Sequence, residues 1–223
     1  MKTQLIDFVL STVLLTLIAL AALLVTGYFF DPLTTKFVGG YAILANSLLF
    51  LLLFGLFSAL ATRIQLRLVP LTPGKHSMSD TLFTWWKLFT VTYEFGRGAL
   101  LPFTTVFAKP LVAALFGARI GRDIALGGHL VDPELITIGD EAIMGQGSVV
   151  TTHAITSGWL ILNPVVIGPR ATVGVNAVVM SGVTIGAGAV VTAGSVVPPD
   201  THIPAGELWG GVPAIRLKSI EAG

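Results

Sequence analysis

The chain has 223 residues, a formal net charge of +1 and only 11% charged side chains, against roughly 25% in soluble domains. Mean hydropathy is +0.85, so part of the chain is expected in lipid, and no basic field argues for nucleic acid as a partner. Cysteine is absent, which excludes disulfides, thiolate metal sites and a cysteine nucleophile.

Phe8 to Phe30 is free of charge and rich in Leu, Val and Ala. As a helix it would reach ~34 Å, enough to cross a hydrocarbon core of ~30 Å. Asp31-Pro32 is expected to break that helix. A second charge-free run, Phe37 to Thr62, holds the apolar block from Leu48 to Phe54. A cleaved signal peptide competes for the first run. The length of that run, the lack of a clear small-x-small site and the second span favour two retained spans. Residues 1–68 therefore read as a transmembrane helical hairpin. Lys2 precedes it, Lys36 lies in its connection, and Arg63, Arg67 and Lys75 follow it. That bias places the N-terminus and the C-terminal domain in the cytoplasm, where coenzyme A is within reach.

Residues 69–119 read as a linker followed by interfacial or capping helices. Val69 to Ser79 is turn-rich. Beyond it, Trp85, Trp86, Phe89, Tyr93 and Phe95 suit helices lying at a membrane surface. A cap over the end of the following domain suits them equally.

From Ile120 onward a six-residue period appears. Ile120, Leu126, Ile138, Met144 and Val150 share one phase, and Asp132-Pro133 interrupts the apolar column without upsetting the count. A second run is continuous: Ile167, Val173, Val179, Ile185, Val191 and Val197, with small or branched residues four places on at Ala171, Ala177, Val183, Ala189 and Ser195. Neither helix nor strand alternation gives this period; a solenoid with one short strand and one turn per repeat does. A third membrane span would explain the missing charge between Ala171 and Pro199. The density of Gly and β-branched residues argues against it. Val150 to Ile167 is not a multiple of six, so Ala154 to Val165 is expected to leave the solenoid as a loop. It starts directly after His153. Pro198-Pro199-Asp200 is expected to end the coils.

The repeat resembles the hexapeptide-repeat acyltransferases. The segment VDPELITIGDEAIMGQGSVVTTH, ending at His153, is similar to the hexapeptide domains of nonribosomal peptide synthetase-like membrane proteins. The resemblance implies a left-handed parallel β-helix over 120–206 with a closing segment over 207–223, a homotrimer, and acetyl-CoA or another acyl-CoA as donor. It makes His153, otherwise a lone turn histidine, a general base: a neutral imidazole can take the proton of a hydroxyl as it attacks a thioester. Ala193 and Gly194 would line the pantetheine arm, Trp209 and Gly211 would bound the donor groove, and Arg216 or Lys218 would meet phosphates. A solvated charge on a terminal helix is the plainer role for Arg216. Asp132, Glu134 and Asp140 are the carboxylates near enough in sequence to orient the imidazole, and the sequence does not choose among them. His129, four hexapeptides before His153, is expected on a different face one coil away, as a turn residue or a helper across a subunit boundary. His129, His153 and His202 lack the close pairing a zinc site needs, so no metal is expected.

The expectation is an integral-membrane acyltransferase, in a bacterial inner membrane, whose acceptor is a hydroxyl or amine on a lipid-linked or envelope molecule. A non-enzymatic trimeric membrane scaffold and an acetyltransferase for a small soluble acceptor are the alternatives.

Overall fold

The computed structural model describes residues 4–220. They form two compact units, one of residues 4–70 with 81–104 and one of residues 71–80 with 105–220.

The first unit is helical. It contains α1 (Leu5–Val25), α2 (Asp31–Val38), α3 (Ala42–Leu68) and α4 (Thr81–Leu100). Asp31-Pro32 does not break the helix as expected. A π-helical turn, Thr26–Phe30, leads straight into α2, and Pro32 falls in the first turn of α2, where its missing N–H removes no bond. The chain reverses further on. Gly39 has φ +55°, a conformation open to a residue without Cβ, and a 3₁₀ turn, Gly39–Tyr41, follows it. Side chains tie the reversal: Asn46 Nδ2–H donates to Asp31 Oδ1 at 2.6 Å, and Thr34 Oγ1–H donates to Asn46 Oδ1 at 2.7 Å. α3 then packs against α1 and α4, and α1 also touches α4. The α3 face that is buried carries Gly55, Ser58, Ala59, Thr62 and Gln65. The first four are small and recur at spacings of three or four positions, the pattern that lets helix backbones approach closely. A Cβ at Gly55 would stand 2.4 Å from Leu100 Cγ and 3.0 Å from Gly96 O. The stretch from Leu5 to Leu68 includes a window of mean hydropathy 2.8, long and apolar enough to cross a membrane.

The second unit is a parallel β-helix. One face stacks Arg119–Ile120, Ile136–Ile138, Val165–Ile167, Thr184–Ile185 and His202–Ile203. A second stacks Ala125–Leu126, Ile143–Met144, Thr172–Val173, Val190–Val191 and Glu207–Gly211, and a third His129–Val131, Val149–Thr151, Val178–Val179 and Val196–Val197. Each face sends one column of side chains inward, and paired residues follow the sixfold phase: Ile167 with Ile185, Val173 with Val191, Val179 with Val197. All of these are buried, as are the corner residues Ala171, Ala177, Val183, Ala189 and Ser195. Full burial of one such Val or Ile is worth about 1.5–3 kcal/mol, so the columns supply the unit's stability. Gly174 and Gly186 set the coil spacing. A Cβ at either would come within 2.4 Å of the backbone N of Ala193 or Ala205 on the next coil.

Pro198-Pro199-Asp200 is a corner, and the coils do not end there. The phase continues to Ile203, paired with Ile185, and to Trp209, paired with Val191. Gly206, at φ +67°, makes the last turn. At the other end, α5 (Lys109–Leu115) packs against the first coil, and Ala113 joins the core of the prism. Of the two roles weighed for residues 81–118, α4 packs with the helical unit and α5 covers the first coil.

Candidate active site

The unbroken count through the first coil conceals two irregularities that cancel. The third face takes Leu130 inward, paired with Val150, so the step from Leu126 is four residues and not six. Gly127 and Gly128 permit this short corner. A Cβ on Gly128 would lie 2.2 Å from Ser148 Oγ, and one on Gly127 would lie 2.8 Å from Met144 O. The next step, Leu130 to Ile138, is eight residues. The extra two are absorbed by Asp132, left-handed at φ +55°, and the 3₁₀ turn Pro133–Leu135. Asp tolerates that backbone better than most residues.

This detour buries Asp132, which is 5% exposed. Its Oδ2 accepts a hydrogen bond from His153 Nδ1–H at 2.6 Å and one from Thr152 Oγ1–H at 3.2 Å. With the Nδ1 proton held by a carboxylate, the lone pair of the neutral ring belongs to Nε2, the nitrogen that would act as a base. Among the three candidate carboxylates, geometry selects Asp132. Asp140 is engaged elsewhere: it accepts from the Arg122 backbone N–H at 2.9 Å and from its guanidinium at 3.1 Å, and these bonds hold its carboxyl below the ordinary range. Glu134 is half-buried, and burial, with a smaller push from the charge of Asp132, raises its carboxyl to about 8.

His153 opens the excursion expected from the register break. The segment is an antiparallel hairpin, His153–Thr156 with Trp159–Leu162, joined on its outer edge by Gly74–Ser77. The linker read at 69–79 thus supplies a strand. His153 pairs with Leu162, and Asn163 N–H donates to Thr152 O at 2.8 Å. These bonds fix the backbone on either side of the imidazole. Lys75 Nζ lies 4.3 Å from the centre of the Trp159 ring, a cation–π contact between the outer strand and the hairpin. Neither the role of Thr152 nor the contact of Lys75 with Trp159 was read from the sequence. A hydroxyl beside the histidine was the one signal available.

His129 is not on a different face from the strand leading to His153. It stands beside Val149, because the short corner pulls its strand back by two positions. At the C-terminal end, Ala193 and Gly194 are exposed at a corner, with Gly194 at φ +69° and its N–H donating to Val175 O at 2.8 Å. Trp209 is the inward residue of its coil and closes the prism, its Nε1–H donating to Glu207 Oε2 at 2.9 Å. Arg216 is on a strand and not on a terminal helix: Ala214–Ser219 folds back on Glu207–Gly211 after the cis Val212–Pro213 peptide. Its Nε–H donates to Glu207 Oε1 at 2.7 Å. Gly211 N–H donates to Ser195 Oγ at 3.2 Å, and Lys218 is exposed.

A family model described as the hexapeptide repeat of succinyl-transferase matches residues 164–199. Among solved structures, a hexapeptide-repeat acetyltransferase from Vibrio cholerae aligns at 21% identity with a TM-score of 0.51, over 67% of this chain and 97% of that one. The same description with acetyl coenzyme A bound aligns at 33% identity and a TM-score of 0.44, over 48% and 62%. Among curated proteins, Delta-poly-L-ornithine synthetase of Acinetobacter baumannii is 28% identical over 121 residues, or 54% of this chain and 9% of that protein. The chain therefore spans about a tenth of the length of that relative.

Proposed function

For a chain of hexapeptide repeats wound into a parallel β-helix, we propose a membrane-anchored acyltransferase that moves an acetyl or other acyl group from acyl-CoA to a hydroxyl or amine. One observation carries this: His153 Nδ1 lies 2.6 Å from the buried Asp132, at the point where the coils give way to the hairpin. A scaffold would have no use for a buried carboxylate aligned on an imidazole.

In this mechanism, His153 Nε2 takes the acceptor proton as the acceptor oxygen or nitrogen attacks the thioester carbonyl. The C–S bond breaks, and the departing thiolate receives the proton from the imidazolium. Asp132 orients the ring and balances its transient charge. No side chain is acylated. The exposed corner at Ala193 and Gly194 suits the donor arm. Lys218 is the cation open to its phosphates, whereas Arg216 would first have to leave Glu207. The names of the related proteins, acetyltransferases among them, support the class of donor.

Association into a trimer fits the outward apolar side chains Ile143, Val166 and Val175, which are 39–49% exposed. Anchoring fits the apolar helices of the first unit. It favours an acceptor confined to the same membrane, such as a lipid-linked or envelope molecule, and the Lys/Arg bias favours a cytoplasmic β-helix.

The test uses radiolabelled acetyl-CoA and membranes containing the full chain. Label should enter the membrane extract, and His153→Ala should lower that transfer by about 10²–10⁴ with the melting temperature unchanged. Undiminished transfer by the variant would remove His153 as the base. Absence of any thermal shift with millimolar coenzyme A would count against the enzyme itself.

A further inference from the structure

We infer that the outer side of the cap on the first coil is a docking surface for an anionic lipid bilayer. α5 carries two apolar sides, and the prism uses one of them. Ala113, with Ala118 just beyond the helix, joins the core of the prism, and Phe116 between them is fully buried. The other side is open. Leu111 and Leu115 lie four residues apart on α5, and Phe107 precedes Leu111 by four, across the turn in which Lys109 N–H donates to Thr105 O at 3.2 Å. Residues at that spacing share one side of a helix. Phe107 is 89% exposed, Leu111 68% and Leu115 41%, and Val106 beside them is 54% exposed.

A solenoid in water needs a cap whose outer side is polar, because no further repeat stacks on it. This cap shows the reverse, and exposed apolar surface of that kind marks contact with protein or membrane. Charge decides between them. From residue 98 through 121 the charged residues are Lys109 and Arg119, both cationic. Arg119 is exposed on the first strand of the coil, and Lys109 is half-buried with its ammonium 3.5 Å from Gly127 O. A second copy meeting this one cap to cap would set these cations against their own kind. An anionic headgroup layer supplies the opposite charge, while the acyl boundary beneath it takes Phe107 and Leu111.

The order of the chain agrees with that choice. Thr104 ends the helical unit and Val106 opens the stripe two residues later. A bilayer crossed by the apolar helices is therefore held at high effective concentration near the stripe. Docking there also sets the height of the chemistry. Asp132 belongs to the first coil, and His153 follows the strand stacked directly upon it. One helix diameter and two strand spacings put the imidazole roughly 20 Å above the acyl boundary, within reach of a lipid headgroup.

The inference rests on the membrane anchoring proposed above and not on acyl transfer. Because the chain has no cysteine, a nitroxide can be attached at one introduced cysteine at a time. The full chain is placed in nanodiscs of phosphatidylcholine with phosphatidylglycerol and labelled through Phe107→Cys or Leu111→Cys. Leu17→Cys is the lipid reference and Ile215→Cys the water reference, at sites 58% and 60% exposed. Collision with oxygen relative to a water-soluble nickel chelate should be several-fold higher at the Phe107 and Leu111 positions than at Ile215. That excess should shrink several-fold in phosphatidylcholine alone. Leu111→Glu, read from the label at Phe107, should abolish it, and Leu111→Gln takes its place if circular dichroism shows unfolding. A water-like ratio at both positions, shielding of both labels from both reagents, or indifference to the Leu111 variants would overturn the docking surface. An excess that survives removal of phosphatidylglycerol would overturn the anionic partner. The Leu17 label separates the two claims. Lipid at Leu17 with water at Phe107 and Leu111 removes the docking surface alone. Water at Leu17 removes the anchoring and the surface together.

Discussion

In the β-helix, Val173, Val179 and Ile185 are 0–1% exposed, while in the helical unit Leu17, Leu23 and Leu24 are 58–60% exposed and Thr26, Ser58 and Thr62 are buried. One unit hides its branched apolar side chains and the other displays them. In water the second arrangement would be unstable, since each displayed leucine forgoes its transfer free energy. In lipid it is the expected one: tails are as apolar as leucine, and helices associate through small residues and hydroxyls. On the anchoring proposed above, the two units are written for two solvents, and each can be perturbed by a change that the other would ignore.

The largest expected effect on that contrast, after the loss of transfer in His153→Ala, comes from truncating an inward column. Ile185→Ala should cost about 2–5 kcal/mol of unfolding free energy, read as a fall in the melting temperature of the β-helix. The matched change Leu23→Ala should stay within about 0.5 kcal/mol in detergent. A comparable loss from Leu23→Ala would mean that the helical unit is packed as a water-soluble core. Next in size, Leu17→Arg should disfavour membrane insertion by about 2.5–3.5 kcal/mol, seen as protein released by carbonate; unchanged retention would break the contrast. Asp132→Asn keeps the left-handed backbone accessible and should lower transfer about 100-fold, because the amide no longer fixes the ring with its lone pair at Nε2, with the fold intact. The smallest effect concerns pH. Glu134 is raised in the folded state from its ordinary 4.5 to about 8, so the folded protein holds a proton that the unfolded chain has released. Stability should therefore fall as pH rises from 4.5 to about 8 and level off above. Melting curves of Glu134→Gln should lack that part of the slope.

The sixfold columns from Ile167 to Val197 could be read from sequence because every inward position holds a branched residue and nothing interrupts the count. The same logic stopped too early at Pro198: proline is tolerated at a corner of a parallel coil, and Ile203 and Trp209 remain in phase beyond it. Asp132 could not be chosen over Glu134 and Asp140 because all three are carboxylates within a few residues, and only the left-handed φ and the detour that follows turn one of them toward His153. Gly74–Ser77 was hidden for another reason. Its polar Gly-Lys-His-Ser has no alternation, and its partner strand, Trp159–Leu162, lies more than eighty residues away in the chain. The reversal at Gly39 was masked by Asp31-Pro32, which looks like a stop yet begins a helix.

The short corner at Gly127-Gly128 and the long one at Asp132–Leu135 behave as two opposite dislocations in a one-dimensional crystal. Alone, either would offset the sixfold count in the sequence, as the step from Val150 to Ile167 does at the hairpin. As a pair they leave no error downstream: Ile138 pairs with Ile120, on the far side of both corners, as though the coil were regular. A pocket with its own backbone strain can therefore be reshaped between these two points while the stacked coils that follow keep their lattice. Phase-neutral insertions there, balanced by equal deletions, are where this architecture can change its chemistry without changing its form.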